Sequence, residues 1–133
     1  MSFNKENIWI IGASNGIGAA LAKELSSQGA TLILSSRSEA NLKKINLKLG
    51  DKHHVYPMDV ANSESVKNTA DSIVQDIGKI DRIIFMAAIY RPADIEQNDV
   101  EFAKKMVNTN LLGAIFTTYA ALKIFNNQKS GQI

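Results

Sequence analysis

The chain has no cysteine, which excludes disulfides, thiolate metal sites and a cysteine nucleophile. No apolar run reaches membrane-spanning length. The opening MSFNKEN lacks the long apolar core of a signal peptide, so the default expectation is a cytoplasmic protein with no membrane partner. Neither sign of charge dominates: 15 Lys and Arg against 13 Asp and Glu leave +2, spread along the chain. No basic patch or aromatic-interleaved stripe argues for nucleic acid. Internal repeats, low-complexity tracts and linkers are absent too. The histidines, His53 and His54, are neighbours; on a strand they point to opposite faces and cannot chelate one metal. They read as surface residues, and no metal is expected.

What is present describes an ordinary globular chain. Its 133 residues, 45% hydrophobic and 21% charged, suffice for one domain with a proper core but not comfortably for two. Strand and helix patterns alternate. Ile8, Trp9, Ile10 and Ile11 form an apolar run, followed by a glycine-rich turn and a helix with Ile17, Leu21 and Leu25 on one face, ending at Gly29. Thr31 to Ser35 is a second strand. Ser38 caps a helix carrying Leu42, Ile45 and Leu49, stopped by Gly50. His54 to Met58 is a third strand, and its Pro57 suits a sheet edge. Asn62 or Ser63 caps a helix with Val66, Ala70, Ile73 and Ile77, ended by Gly78. Ile80 to Ala88 is the fourth and most hydrophobic strand, expected in the centre and buried on both faces.

After a connection from Ile89 to Gln97 comes a long helix from about Asn98 to Asn127. Asn98 and Glu101 resemble a capping box; Phe102, Met106, Leu112, Phe116, Ala120 and Ile124 form its expected buried face. Gly131-Gln132-Ile133 looks like the opening of a fifth strand. The alternation, with right-handed crossovers, predicts an α/β fold: a Rossmann-like doubly wound parallel sheet in the order 3-2-1-4, incomplete at the fifth strand. The topological switch point then falls between the first and fourth strands, over the glycine turn.

That turn, Gly12-Ala13-Ser14-Asn15-Gly16-Ile17-Gly18, sits between strand and helix. This order aims backbone N–H groups and a helix N-terminus at a pyrophosphate. Gly12 makes the sharp exit from the strand, Gly16 lets a phosphate approach, and Gly18 lets the helix pack close to the sheet. A glycine-rich turn with no ligand is the alternative; the flanking strand and helix favour the nucleotide site.

The Gly12-x-x-x-Gly16-Ile17-Gly18 spacing resembles that of short-chain dehydrogenases/reductases. Arg37, Asp59-Val60, Asp81 and Asn110-Leu111-Leu112-Gly113 follow in the family's order, so the resemblance runs from about Ile8 to Ile133. It implies a nicotinamide dinucleotide cofactor held by Gly12, Ser14, Asn15, Gly16, Ile17, Gly18, Ser36, Arg37, Asp59, Val60, Ala87 and Ala88. In such a fold the second strand ends beside the adenosine ribose, where a carboxylate accepts the 2′-hydroxyl of NAD and repels the 2′-phosphate of NADP. Here the residues are Ser35-Ser36-Arg37-Ser38, with no acid. A guanidinium can take a phosphate bidentately and stack on adenine, so NADP(H) is expected over NAD(H). The alternative is a solvated arginine before a helix. By resemblance Asp59 and Val60 meet the adenine, although an Asp at a strand end also commonly starts a turn. Asn110 is an inward helix position with poor propensity. It matches the family's catalytic asparagine, whose backbone carbonyl holds a water linked to the catalytic lysine; Asn108 is the neighbouring candidate, and a solvent-facing asparagine is the plain alternative.

Departures from the pattern stand at Ile11, where the family has Thr, and at Phe85-Met86-Ala87-Ala88, where it has Asn-Asn-Ala-Gly. Apolar packing is expected to replace the polar tie between these strands, and Ala88 adds a methyl beside the nicotinamide ribose. The family's Ser and Tyr-x-x-x-Lys are expected after Ile133, so the chain reads as the cofactor-binding part, without the catalytic centre and inactive alone. Tyr119 with Lys123 matches Tyr-x-x-x-Lys but precedes the fifth strand and is read as coincidence. The complete enzyme would transfer a hydride between NADP(H) and a small carbonyl or alcohol. A non-catalytic dinucleotide- or partner-binding module is the second reading. An S-adenosylmethionine protein is the third; it would want an acid where Ser35 and Ser36 stand. An uncovered fourth strand and apolar helix face predict self-association, as a homo-oligomer.

Overall fold

The computed structural model describes residues 2–92 and 100–133. Its elements are β1 (Asn7–Ile11), α1 (Gly16–Ser27), β2 (Thr31–Ser35), α2 (Glu39–Lys48), β3 (His54–Val55), α3 (Ser63–Ile77), β4 (Arg82–Phe85), α4 (Val100–Met106), a π-helical segment (Val107–Leu112) and α5 (Gly113–Gln128). The four strands pair in parallel, in the order β3-β2-β1-β4. This is the Rossmann-like arrangement expected from the alternation of patterns.

The strand periodicity of two sends alternate residues of β1 to opposite faces. Trp9 and Ile11 join Ile33 and Ile83 under α3 and α5, with Val66, Ile73 and Ala121. Ile8 and Ile10 join Leu32 and Leu34 under α1 and α2, with Ala22, Leu25 and Leu42. Each face of the sheet therefore has its own core. The helix ends follow the local rules. Ser38 accepts a hydrogen bond from Asn41 N, and Asn62 Oδ1 accepts from Glu64 N and Ser65 N. Gly29 and Gly78 take positive φ just past their helices.

Four expectations need correction. On α1 the buried residues are Gly18, Ala22, Leu25 and Ser26, whereas Ile17 is 75% exposed; small residues let the helix lie close, and the larger Ile17 is turned outward. β3 is regular over only two residues; Pro57, which has no N–H, falls between two residues that still donate to β2, so its nitrogen faces the open edge of the sheet. Pairing nonetheless continues through Tyr56 N to Leu34 O and Met58 N to Ser36 O, both 2.9 Å. β4 is shorter than expected and only partly buried: among the described residues its outer side meets just an isolated parallel bridge between Arg82 and Gln132. The long helix is broken by the π-helical segment, which shifts the inward stripe to Gly113, Thr117, Ala121 and Ile124. Phe102, Met106, Leu112, Phe116 and Ala120 are half-buried. The expected cap at Asn98 lies outside the described residues.

His53 also departs from expectation. It is only 7% exposed and ties four segments together. Leu32 N donates to its Nδ1 at 3.1 Å, which places the ring proton on Nε2, 2.7 Å from Ser26 Oγ. Its backbone N–H and carbonyl are both bound by the Asn46 side chain at 3.0 Å. His54, by contrast, is exposed. Adjacent residues of a strand do face opposite ways; the sheet edge covers one of those faces with α1 and α2.

Candidate functional site

Where β1 and β2 end, Gly12 N and Ala13 N donate to Ser35 O at 2.7 and 3.1 Å, drawing the glycine turn against β2. Gly12 has φ +95°, and a Cβ there would stand 2.6 Å from Ala87 N. Only glycine lets the turn pass that close to the chain leaving β4. A methyl on Gly18 would overlap the Gly12 carbonyl oxygen, so this glycine seats α1 on the turn. Gly16 differs: its φ is +53° and nothing lies within 4 Å of a Cβ position. Its side is open space. The first turn of α1 contains no acidic residue, and the Asn15 side chain makes no cap. The N–H groups of that turn are thus left free of a carboxylate or capping side chain.

A cleft of about 490 Å³ opens over this end of the sheet. Gly12, Ser14 and Asn15 line it from the turn; Ser36, Arg37, Ser38 and Asn41 from the end of β2 and the start of α2; Met58, Asp59 and Val60 from beyond β3. Met86, Ala87, Ala88, Ile89 and Thr109 complete it. Gly16, Ile17 and Gly18 continue into α1 without lining it, and so does Asn110 stay outside the lining. Among the lining residues Arg37 is the cation and Asp59 the carboxylate. Arg37 is exposed and enters none of the ion pairs among the described residues. Ser36 Oγ is buried and meets no hydrogen-bond partner, a costly state for a hydroxyl unless a ligand supplies one. Asp59 plays a part in its own turn, as Oδ1 accepts from Ala61 N at 3.0 Å; Oδ2 makes no hydrogen bond in that turn.

Asn110 spans the Ile89 peptide groups. Its Oδ1 accepts from Ile89 N at 2.8 Å and its Nδ2 donates to Ile89 O at 2.9 Å. The asparagine therefore holds the cleft wall just past Ala88. Asn108 is exposed. Gly113, which follows, allows α5 to press on the Asp59-Val60 turn: a Cβ there would meet Val60 Cγ2 at 2.9 Å. Sequence reasoning named both residues but missed these contacts, which need the helix break to bring them about. Ile11 pairs with Phe85 across the strands, and both pack in one core. Ala88 lines the cleft and is exposed.

Tyr119 and Lys123 lie elsewhere. They line a mostly apolar groove of about 590 Å³ between α3 and α5, which shares no residue with the cleft. Lys123 pairs there with Asp71 at 3.2 Å. Among the described residues no cluster of three or more His, Asp or Glu side chains is placed to hold a metal, and no helix is long and apolar enough to cross a membrane.

The family model for short chain dehydrogenase matches residues 6–133. The chain is 34% identical over 125 residues to an uncharacterized oxidoreductase of Staphylococcus haemolyticus, covering 93% of this chain and 54% of that protein. It is 31% identical over 124 residues to a 3-oxoacyl-[acyl-carrier-protein] reductase of Bos taurus, covering 93% and 52%. Among solved structures, a short chain dehydrogenase from Mycobacterium smegmatis superposes with a TM-score of 0.86 at 22% identity, over 94% of this chain and 53% of that one. With fold, glycine turn and family match in agreement, the chain belongs to the short-chain dehydrogenase/reductase family. It spans about half the length of the curated relatives it matches.

Proposed function

We propose that residues 1–133 are the NADP(H)-binding part of an oxidoreductase that acts on a small carbonyl or alcohol substrate. The observation that carries this reading is the end of β2. There an unpartnered Ser36 hydroxyl and an exposed Arg37 line the cleft, and Ser35 to Ser38 carries no carboxylate to repel a 2′-phosphate. The dinucleotide, when bound, supplies or accepts the hydride.

The chain's own groups bind and orient. Backbone N–H groups from Gly12 to Gly18, with Ser14 and Asn15, would hold the pyrophosphate at the open side left by Gly16. Ser36 and Arg37 would hold the ribose phosphate, and Asp59 and Val60 the adenine. Ala87 and Ala88 would flank the nicotinamide ribose, and Asn110 would fix the backbone beyond them. The name of the bovine relative, a reductase of a 3-oxoacyl group, supports a carbonyl substrate. Tyr119 and Lys123 open into a different groove, which supports assigning the acid/base step to residues other than this pair.

Thermal unfolding with each cofactor tests the assignment. NADPH should raise the melting temperature more than NADH, and Arg37→Asp should abolish or reverse that difference. Equal shifts for both cofactors in the natural sequence would remove Arg37 from the site.

We also infer self-association. Leu111, Ile115, Tyr119 and Leu122, each 39% or more exposed, share the outer side of the π segment and α5. Sedimentation at micromolar concentration should show a dimer or larger species; a stable monomer would count against it.

A further inference from the structure

The junction at His53 carries more than packing. The ring sits between β2, which offers Leu32 N–H, and α1, which offers the Ser26 hydroxyl. Asn46 of α2 binds its backbone and also donates to Asp51 Oδ1 at 3.0 Å. The charged neighbours on its own segment are Lys52 and His54, both unfavourable to a second proton on the ring. The only carboxylate in the network, Asp51, is one amide removed and does not bond the ring. A proton arriving at Nδ1 would face the Leu32 N–H, donor against donor.

We propose that His53 is a proton-sensitive latch that keeps the β3 edge of the sheet paired near neutral pH and releases it in acid. The regular part of the edge is short: β3 pairs His54 and Val55 with Ile33 and Leu34, and the Tyr56 and Met58 amides continue the pairing. Tyr56 OH, donating to Asp76 of α3 at 2.7 Å, and the buried Met58 and Val60 anchor its far side. Its far end, Met58 to Val60, is a wall of the cleft, so release at His53 loosens that wall from behind. The consequence for a bound nucleotide rests on the reading above; the latch itself does not.

Burial, with lesser contributions from Lys52 and His54, holds the His53 imidazole down at about 4 against an ordinary 6.5. In the opened edge the ring regains its ordinary affinity for a proton. The open state therefore binds more protons than the closed one between these values, and opening becomes easier as pH falls through that window. Its equilibrium should rise by up to about tenfold per pH unit.

Amide exchange measured by NMR from pH 7 to 4.5, without nucleotide, tests this. Protection of Leu32, Tyr56 and Met58 should fall together by up to about tenfold per unit below pH 6.5, and lie below that of Trp9 and Ile10 at every pH. Steady protection of Leu32, Tyr56 and Met58 across the range would overturn the proposal. So would exchange of these amides at the same rate as Trp9 and Ile10, because the event would then be global unfolding.

Discussion

Gly18→Ala is expected to destabilise the chain by about 3 kcal/mol, at the upper end of ordinary overpacking costs, and to abolish nucleotide binding. The added methyl would overlap the Gly12 carbonyl oxygen, and the next atoms it meets are the carbonyl carbon of Gly12 and Cα of Ala13. All of these are backbone, so no rotamer change relieves the clash. α1 must lift from the turn, and the core formed by Ala22 and Leu25 against Ile8 and Ile10 opens with it.

Gly16→Ala is the matched comparison. Gly16 also departs from ordinary backbone, with φ +53°, but has nothing within 4 Å of its Cβ position. Its substitution should cost only the strain of a left-handed residue, about 1 kcal/mol. Urea unfolding followed by the fluorescence of Trp9, which is fully buried, separates the two. If Gly16→Ala proves the more damaging, the division of labour between these glycines is wrong.

Asn110→Leu should cost about 2 kcal/mol, because it keeps the bulk and removes both hydrogen bonds to Ile89, leaving part-buried backbone groups unpaired. The cleft wall at Ala88 and Ile89 should loosen, lowering the thermal shift given by NADPH. Asn108→Ala, at an exposed position, should fall within about 0.5 kcal/mol of the natural sequence. Equal, small effects at the two positions would mean that Asn110 is only a solvent-facing helix residue.

Much of the architecture could be read without coordinates. Helix caps at Ser38 and Asn62 depend on atoms a few residues away, and the alternation of Ile8, Trp9, Ile10 and Ile11 needs only the pleat. Right-handed crossovers leave few orders for four parallel strands, and 3-2-1-4 is the Rossmann one among them. Nine of the twelve residues that the family resemblance implied for the cofactor gather along the cleft, because in a parallel sheet the segments just past the strand ends meet there. Gly12, Ser14, Asn15, Ser36, Arg37, Asp59, Val60, Ala87 and Ala88 do so here.

What the pattern misread depended on partners distant in the chain. Ile17 fits the apolar stripe of α1, yet close seating on Gly18 and Ala22 turns it to the solvent. His53 looked like half of a surface pair, because nothing local reveals that Ser26, Leu32 and Asn46 converge on it. The helix after residue 100 reads as one regular stripe, and no propensity announces the π turn at Val107–Leu112. That turn places Asn110 on Ile89 and Gly113 on Val60.

By itself, then, the sequence determined the order of elements, the parallel doubly wound class and the glycine turn between the first strand and helix, since each rests on spacing within one or two neighbouring elements. Tertiary structure alone decided which glycine meets backbone and which faces open space, that the Ser36 hydroxyl is left without a partner, and that His53 closes the sheet edge. Those outcomes are set by distances between segments, which spacing along the chain does not contain.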